Sequence, residues 1–193
     1  VLLGANRRAL TALEIYRQSA GIAELIRDRK LPAASGFSLN SAAQVSAAVI
    51  ALERSGLVKV FDRAQPPIYY IPDEQRLAAA YYRNTITHYF LHAALGEIGL
   101  AICALDIELP NAETLRKNVT ILRELYKFEF FYKPTEEFWQ EVLYETGQRY
   151  SGWDSGAVSV QKLLLDKPPR FGHAILRSIT EAYLIIAVAL MEL

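Results

Sequence analysis

Cysteine is nearly absent: Cys103 is the only one in 193 residues. It lies in an apolar stretch, so an internal disulfide is excluded and the chain fits a reducing compartment, with Cys103 expected as a buried inert thiol. Net charge is also lacking, 21 Lys and Arg against 21 Asp and Glu, so no global field draws the chain to nucleic acid or to an anionic bilayer. Long apolar runs are short of what a membrane requires. Phe90 to Leu105 is interrupted by His92 and Glu97, and Ala182 to Met191 is only ten residues long, where a spanning helix takes about 20. Any membrane attachment is therefore expected to be peripheral. No signal peptide is visible, because Arg7 and Arg8 follow the apolar start instead of preceding it, and Val1 reads as opening within a longer chain.

Motifs that carry chemistry are missing too. There is no phosphate-cradling GxxxxGK[ST], no GxGxxG, no GxSxG, no HExxH and no CxxC. Three scattered histidines, His88, His92 and His173, with one cysteine make a structural metal site unsuited to this chain. Neither a metal nor a cofactor is expected. No internal repeat or low-complexity tract is present.

What remains is 52% hydrophobic and 22% charged, a globular composition with enough length for one large or two small domains. Thr11 and Glu14 are spaced as a capping box before an amphipathic helix over residues 10 to 30. LPAASGFSLN, with Pro32 and Gly36, reads as a connecting loop. Ser41 and Gln44 repeat the box, and Val45, Val49 and Leu52 give a helical face that Gly56 stops. LVKVF and IYYI then read as the two strands of a hairpin. Two helices and a hairpin are the outline of a winged helix, expected over residues 1–72.

That outline raises DNA binding as a rival function. Residues 1–72 hold nine Lys and Arg against five Asp and Glu, but the would-be recognition helix from Ser41 to Ser55 offers only Gln44 and Arg54. Base and phosphate contacts want several such groups on one face, so no nucleic-acid partner is expected.

Pro72 and Asp73 open the stretch on which the rest is organised, IPDEQRLAAAYYRNTITHYFLHAALGEIGLAICAL. Leu77, Tyr81, Asn84, His88, Leu91, Leu95, Ile98 and Ile102 recur at helical spacing, which predicts a helix buried on more than one side. Tyr81, Tyr82, Arg83, Asn84 and His88 are its candidate functional group. Arg83 beside two tyrosines could grip a phosphate, but a hydrogen-bonded network locking a core helix is the reading favoured for these residues. Gly96 and Gly99 permit close approach of another helix.

Between Leu105 and Leu109 acidic residues alternate with apolar ones, Pro110 breaks the chain, and Asn111 caps a helix marked by Leu115, Val119 and Leu122. Phe128, Phe130, Phe131 and Tyr132 read as a core plug in preference to an acyl-chain or membrane-surface contact. Glu136 and Glu137 sit in the first turn of the next helix, which Gly147 ends. VSVQKLLL is a short strand or a half-buried helix, and Pro168 and Pro169 launch a last helix, apolar nearly all round, that must be covered by protein. His173 reads as a hydrogen-bonding rim residue. The fold class is mainly α: a helical bundle over residues 73–193 behind the winged-helix-like hairpin segment.

YYRNTITH, together with VLLGANRRALT, LRELYKFEFFYKPTEEFWQEV and LRSITEAYLIIAVAL in that order, resembles the C-terminal region of bacterial glycerol-3-phosphate 1-O-acyltransferases. The resemblance implies acyl transfer from acyl-CoA or acyl-carrier protein to glycerol 3-phosphate, at the cytoplasmic face of the cell membrane, as the first step of phospholipid synthesis. It also implies a partner, the catalytic domain of the same polypeptide, with self-association as a further role. In that family a His-x-x-x-x-Asp motif supplies the general base. Here only His92 and Glu97 imitate it, and five helical positions turn two side chains about 500° apart, so they should not meet. No catalytic residue is expected, and the chain alone is expected to be inactive.

Overall fold

A computed structural model describes residues 1–5, 7–33, 40–105, 111–156 and 158–192. The fold is mainly α, with one small sheet. The chain divides into two compact units, Val1–Ile86 and Thr87–Leu193. The division falls inside the central helical stretch, where the sequence had suggested a limit at residue 72, after the hairpin.

In the first unit, strand β1 (Leu10–Thr11) leads into helix α1 (Ala12–Asp28), followed by α2 (Ala42–Arg54), the hairpin strands β2 (Lys59–Phe61) and β3 (Ile68–Tyr70), and helix α3 (Arg76–Thr87). Thr11 completes the expected capping box: its Oγ1 accepts the Glu14 N–H at 3.2 Å, and Glu14 Oε2 accepts the Thr11 N–H at 2.8 Å. Ser41 forms only half of one. Its hydroxyl accepts the Gln44 N–H at 3.3 Å, but Gln44 Oε1 accepts from the backbone of Asn40 instead. Gly56, at φ +78°, turns the chain out of α2 as expected.

The sheet has the order β1-β3-β2, all antiparallel, with Leu10 opposite Tyr69 and Val60 opposite Tyr69 on the other side. β1 was not legible in the sequence, since two residues carry no alternation. Leu10, Ile15, Val45, Val49, Val58 and Tyr69 form the core of this unit, the winged-helix outline with a third strand added. The predicted loop between α1 and α2 falls largely on residues 34–39, and the acidic alternation before Pro110 on 106–110, both outside the described residues.

The second unit is built around α4 (Leu91–Cys103), reached through a 3-10 turn at His88–Phe90. Helices α5 (Ala112–Leu125), α6 (Thr135–Arg149) and α7 (Val160–Asp166) pack on it, as does a π-helical turn at Gly172–Leu176 that runs into α8 (Arg177–Met191). Asn111 caps α5 by accepting the Thr114 N–H at 2.9 Å. The ambiguous VSVQKLLL is helical: Ser159 Oγ accepts the Lys162 N–H and starts α7. Gly147 does not end α6, which runs two residues further.

Small residues explain why α4 can be central. A Cβ on Gly99 would lie 2.8 Å from Leu115 Cδ1 and 2.9 Å from Val119 Cγ2 on α5, and one on Gly96 would overlap Thr146 Oγ1 on α6. The helices therefore approach where glycine leaves room, as the sequence predicts. Cys103 is buried, 3.3 Å from the Asn118 amide that donates to its sulfur.

Two expectations of cover are corrected. Phe128 and Phe131 are exposed, and only Phe130 and Tyr132 turn inward, Tyr132 packing edge-on to Phe138. Adjacent Phe130, Phe131 and Tyr132 in this irregular connection cannot all turn to the same side, and Phe128 in the turn before them stands in solvent. α8 likewise leaves Leu184, Ile185, Ile186, Leu190 and Met191 exposed. The structure also lengthens the two apolar stretches: Ala174–Met191 and Asp73–Cys103 are continuous helical segments long and apolar enough to cross a membrane by length and composition. The second passes because its latter half is the core helix α4. In the first, only 11% of the window is buried.

Candidate functional site

The YYRN stretch lies on α3. Tyr81 and Tyr82 are 68% and 62% exposed, and their rings meet edge to face at 5.8 Å. Asn84 is exposed, and its Oδ1 accepts from Arg83 Nε at 3.1 Å and Nη2 at 2.9 Å. Arg83 is half-buried, and that burial pulls its guanidinium below the ordinary arginine value. His88 is exposed, its ring against that of Tyr89 at 3.9 Å.

The buried network expected of these residues is thus not formed. α3 buries the side that carries Ala79 and Thr87, whereas Leu77, Tyr81 and Asn84 share the opposite side and face water. Helical spacing identifies residues that share a face; it does not say that this chain supplies the cover. Past His88 the same row is buried, at Leu91 and Leu95.

The polar groups that are buried lie instead in the second unit, on α4. Glu97 is 2% exposed. Its Oε2 accepts the backbone N–H groups of Arg170, Phe171 and Gly172 at 2.8, 2.6 and 2.9 Å, and its Oε1 faces Arg149 Nε at 2.9 Å. Those N–H groups open the last helical run, where no carbonyl of the helix itself can serve them. A carboxylate from another helix takes the place of a cap and meets the positive end of the helix dipole. Gly172 is required there, because a Cβ would come within 2.7 Å of Ile98 Cγ1 and 3.3 Å of the Ala94 carbonyl oxygen. Burial pushes the Glu97 carboxyl above its ordinary value, and the three N–H groups and Arg149 oppose that shift.

His92 takes a different partner. Its Nε2 lies 2.9 Å from Glu141 Oε2 on α6, and Glu141 Oε1 also receives Lys133 Nζ at 2.7 Å. The two members of the His-x-x-x-x-Glu pattern therefore have separate partners, Glu141 and Arg149, at different levels of α6. Neither arrangement presents a free base to a substrate hydroxyl. One oxygen of Glu97 is saturated by three donors and the other is held by a guanidinium, so the group works as a clamp between α4, α6 and the final helix. Sequence reasoning weighed Glu97 only as a partner of His92. A lone acidic residue amid LHAALGEIGL was the available signal, since a charge in a core helix is tolerated only when paired.

Among the described residues no group of three or more His, Cys, Asp or Glu is placed to hold a metal ion. The side chain of His173 lies outside the description.

Comparison with known proteins assigns all of residues 1–193 to the family described as glycerol-3-phosphate acyltransferase C-terminal region. A relative named as an acyltransferase, plsB1 of Mycobacterium bovis, is 29% identical over 192 residues, as is that of two Mycobacterium tuberculosis strains. These matches cover 96% of this chain and 31% of the relatives, so the chain spans about a third of their length. No solved structure matches.

Proposed function

Because the chain belongs to the glycerol-3-phosphate acyltransferase C-terminal region family, we propose that it forms the non-catalytic part of a glycerol-3-phosphate 1-O-acyltransferase. The reaction is transfer of an acyl chain from acyl-CoA or acyl-carrier protein to the sn-1 hydroxyl of glycerol 3-phosphate, the first step of phospholipid synthesis. The catalytic base belongs to another portion of the same polypeptide. The observation that carries this reading is the fate of His92 and Glu97: the one sequence pattern resembling the family's base is committed to scaffold contacts with Glu141, Arg149 and the start of the last helix.

The proposed location is peripheral, at the cytoplasmic face of the membrane. Ala174–Met191 supports membrane contact, being apolar and little buried, and its length and composition would equally allow it to cross. The winged-helix outline favours a protein contact over a nucleic acid. The exposed positions of α2 include Ala43, Ala47, Ile50, Ala51 and Leu52, with Arg54 as their cation, and duplex binding needs several cations.

The test is acyl transfer from acyl-CoA to labelled glycerol 3-phosphate, measured with the 1–193 chain and with a longer polypeptide that contains it. Product from the longer polypeptide alone is expected. Turnover by residues 1–193, or none by the longer polypeptide, would overturn the assignment.

A further inference from the structure

We propose that the last two turns of α8, together with Phe128 and Phe131, insert into the acyl region of one leaflet of a lipid bilayer while the rest of the second unit stays at the surface. The proposal rests on the peripheral membrane location given above, and it adds the inserting surface and how far it reaches.

The contacts of α8 separate a held part from a free one. Ile175 and Leu176 are buried, Glu97 caps the run at Arg170, Phe171 and Gly172, and the Tyr126 hydroxyl bonds to Thr180 Oγ1 at 2.6 Å. The last of these holding points is Tyr183, whose ring stacks on Tyr126 at 6.1 Å and whose hydroxyl donates to Glu129 Oε1 at 2.8 Å. Beyond it every residue from Leu184 to Met191 is apolar and exposed. Leu184, Ile185, Ile186, Val188, Leu190 and Met191 are between 47% and 86% exposed.

That distribution selects the occupant. At about 100° per residue these positions point in every direction round the helix axis, with Leu184 and Ile186 about 200° apart. A groove on a protein, or a second copy of this chain, covers one side of a helix and leaves the other in water. Hydrocarbon covers all of it, and a helix carries its own backbone hydrogen bonds into that medium. At 1.5 Å per residue the free part is about 12 Å long, close to the depth of one hydrocarbon leaflet, about 15 Å. To cross the bilayer, α8 would have to pull Ile175 and Leu176 out of the core and break the Glu97 clamp.

A second observation lies where α8 leaves the unit. Glu129, which holds Tyr183, has Phe128 and Phe131 close on either side in the α5–α6 connection, the first 86% exposed and the second fully so. In water two such rings contribute nothing to the fold, whereas at a membrane surface they gain apolar cover. The cations nearby are already paired, Lys127 with Glu124, Lys133 with Glu137 and Arg177 with Glu181. The attraction is therefore apolar, and needs neither anionic lipid nor low salt.

The experiment places a benzoylphenylalanine photocrosslinker at Leu184, Ile186 or Phe131, in turn, in the longer polypeptide mixed with phosphatidylcholine vesicles. Leu165, 79% exposed, is the control position. It lies on α7, whose Gln161 bonds to the Ala104 carbonyl at one end of α4, whereas the aromatic connection packs through Phe138 on His92 at the other. After irradiation, adducts are identified by mass. Lipid adducts are expected from all three positions, at several times the control yield. Peptide adducts from Leu184 or Ile186, or lipid adducts no more frequent than the control, would overturn the proposal.

A second readout is partition of the 193-residue chain into the same vesicles. Ile185→Asp should lower it about a hundredfold and Leu165→Asp should leave it unchanged, both with the wild-type unfolding midpoint by tryptophan fluorescence, because each side chain is exposed. No loss in Ile185→Asp, or an equal loss in both, would refute insertion. A longer polypeptide that transfers acyl groups without lipid adducts would refute this inference alone, and one that gives the adducts without transfer would refute only the functional reading.

Discussion

Replacing Glu97 tests the central claim about the second unit, that one buried carboxylate joins three elements. Glu97→Ala leaves the N–H groups of Phe171 and Gly172 buried without an acceptor, that of Arg170 partly so, and Arg149 without its counter-charge. Breaking a buried ion pair by removing one partner costs about 3–5 kcal/mol, and each buried donor left open costs about 1–3 kcal/mol. These costs overlap, since the last helix can fray and admit water, so about 4 kcal/mol is expected for the unit. With a urea slope of roughly 2 kcal/mol per molar, the midpoint should fall by about 2 M. Both tryptophans, Trp139 and Trp153, are buried in this unit, so fluorescence reports its unfolding. Glu97→Gln keeps an oxygen for the three N–H groups but sets an amide against Arg149; its cost should be about half that of the alanine variant. Amide exchange at Phe171 and Gly172 should quicken most in Glu97→Ala. Equal costs for the two variants, or a loss under about 1 kcal/mol for Ala, would refute the clamp.

Gly96→Ala sets a Cβ against Thr146 Oγ1 and should cost about 1–3 kcal/mol despite the better helix propensity; in a Thr146→Ala background the cost should shrink, measured as a double-mutant cycle. Thr11→Ala removes the cap of α1 and should cost about 1 kcal/mol in thermal unfolding followed by circular dichroism. The capping hydrogen bonds from the Thr11 backbone and hydroxyl hold the Glu14 carboxyl below its ordinary value, so the cap's contribution is present above the unfolded carboxylate range and lost as pH falls through the folded value. The stability difference between wild type and Thr11→Ala should therefore narrow in acid. Tyr126→Phe breaks the 2.6 Å hydrogen bond to Thr180 Oγ1 and should cost about 1 kcal/mol by urea denaturation.

Much of the fold is legible because its signals are local. Thr11 with Glu14, Asn111 before α5 and Gly56 after α2 each act within one turn of chain, so their consequences follow from spacing alone. The glycines of α4 were legible for a related reason: two gaps in an otherwise apolar helix must admit something. What escaped is whatever depends on a partner distant in sequence. β1 exists only through pairing with β3, and Glu97 is a cap only because residues 170–172 are folded against it. The exposure of Tyr81 and Tyr82 depends on which side of α3 the first unit covers, which no periodicity contains.

The two groups of polar residues in the central stretch therefore have opposite uses, and their surroundings explain why. Glu97 sits where α4 is packed by α5, α6 and the last helical run, so any charge there must be fully paired or the unit fails; its chemistry is spent on the fold. Tyr81, Tyr82 and Asn84 sit where α3 is covered on one side only, so their side chains gain little from packing within this chain. Swapping these positions in thought makes the asymmetry plain. A tyrosine pair on α4 would overfill the space that Gly96 and Gly99 leave, and a glutamate on the open face of α3 would be an ordinary solvated charge. Selection for folding alone can account for the first group. It offers no reason for two exposed tyrosines and a leucine in the second.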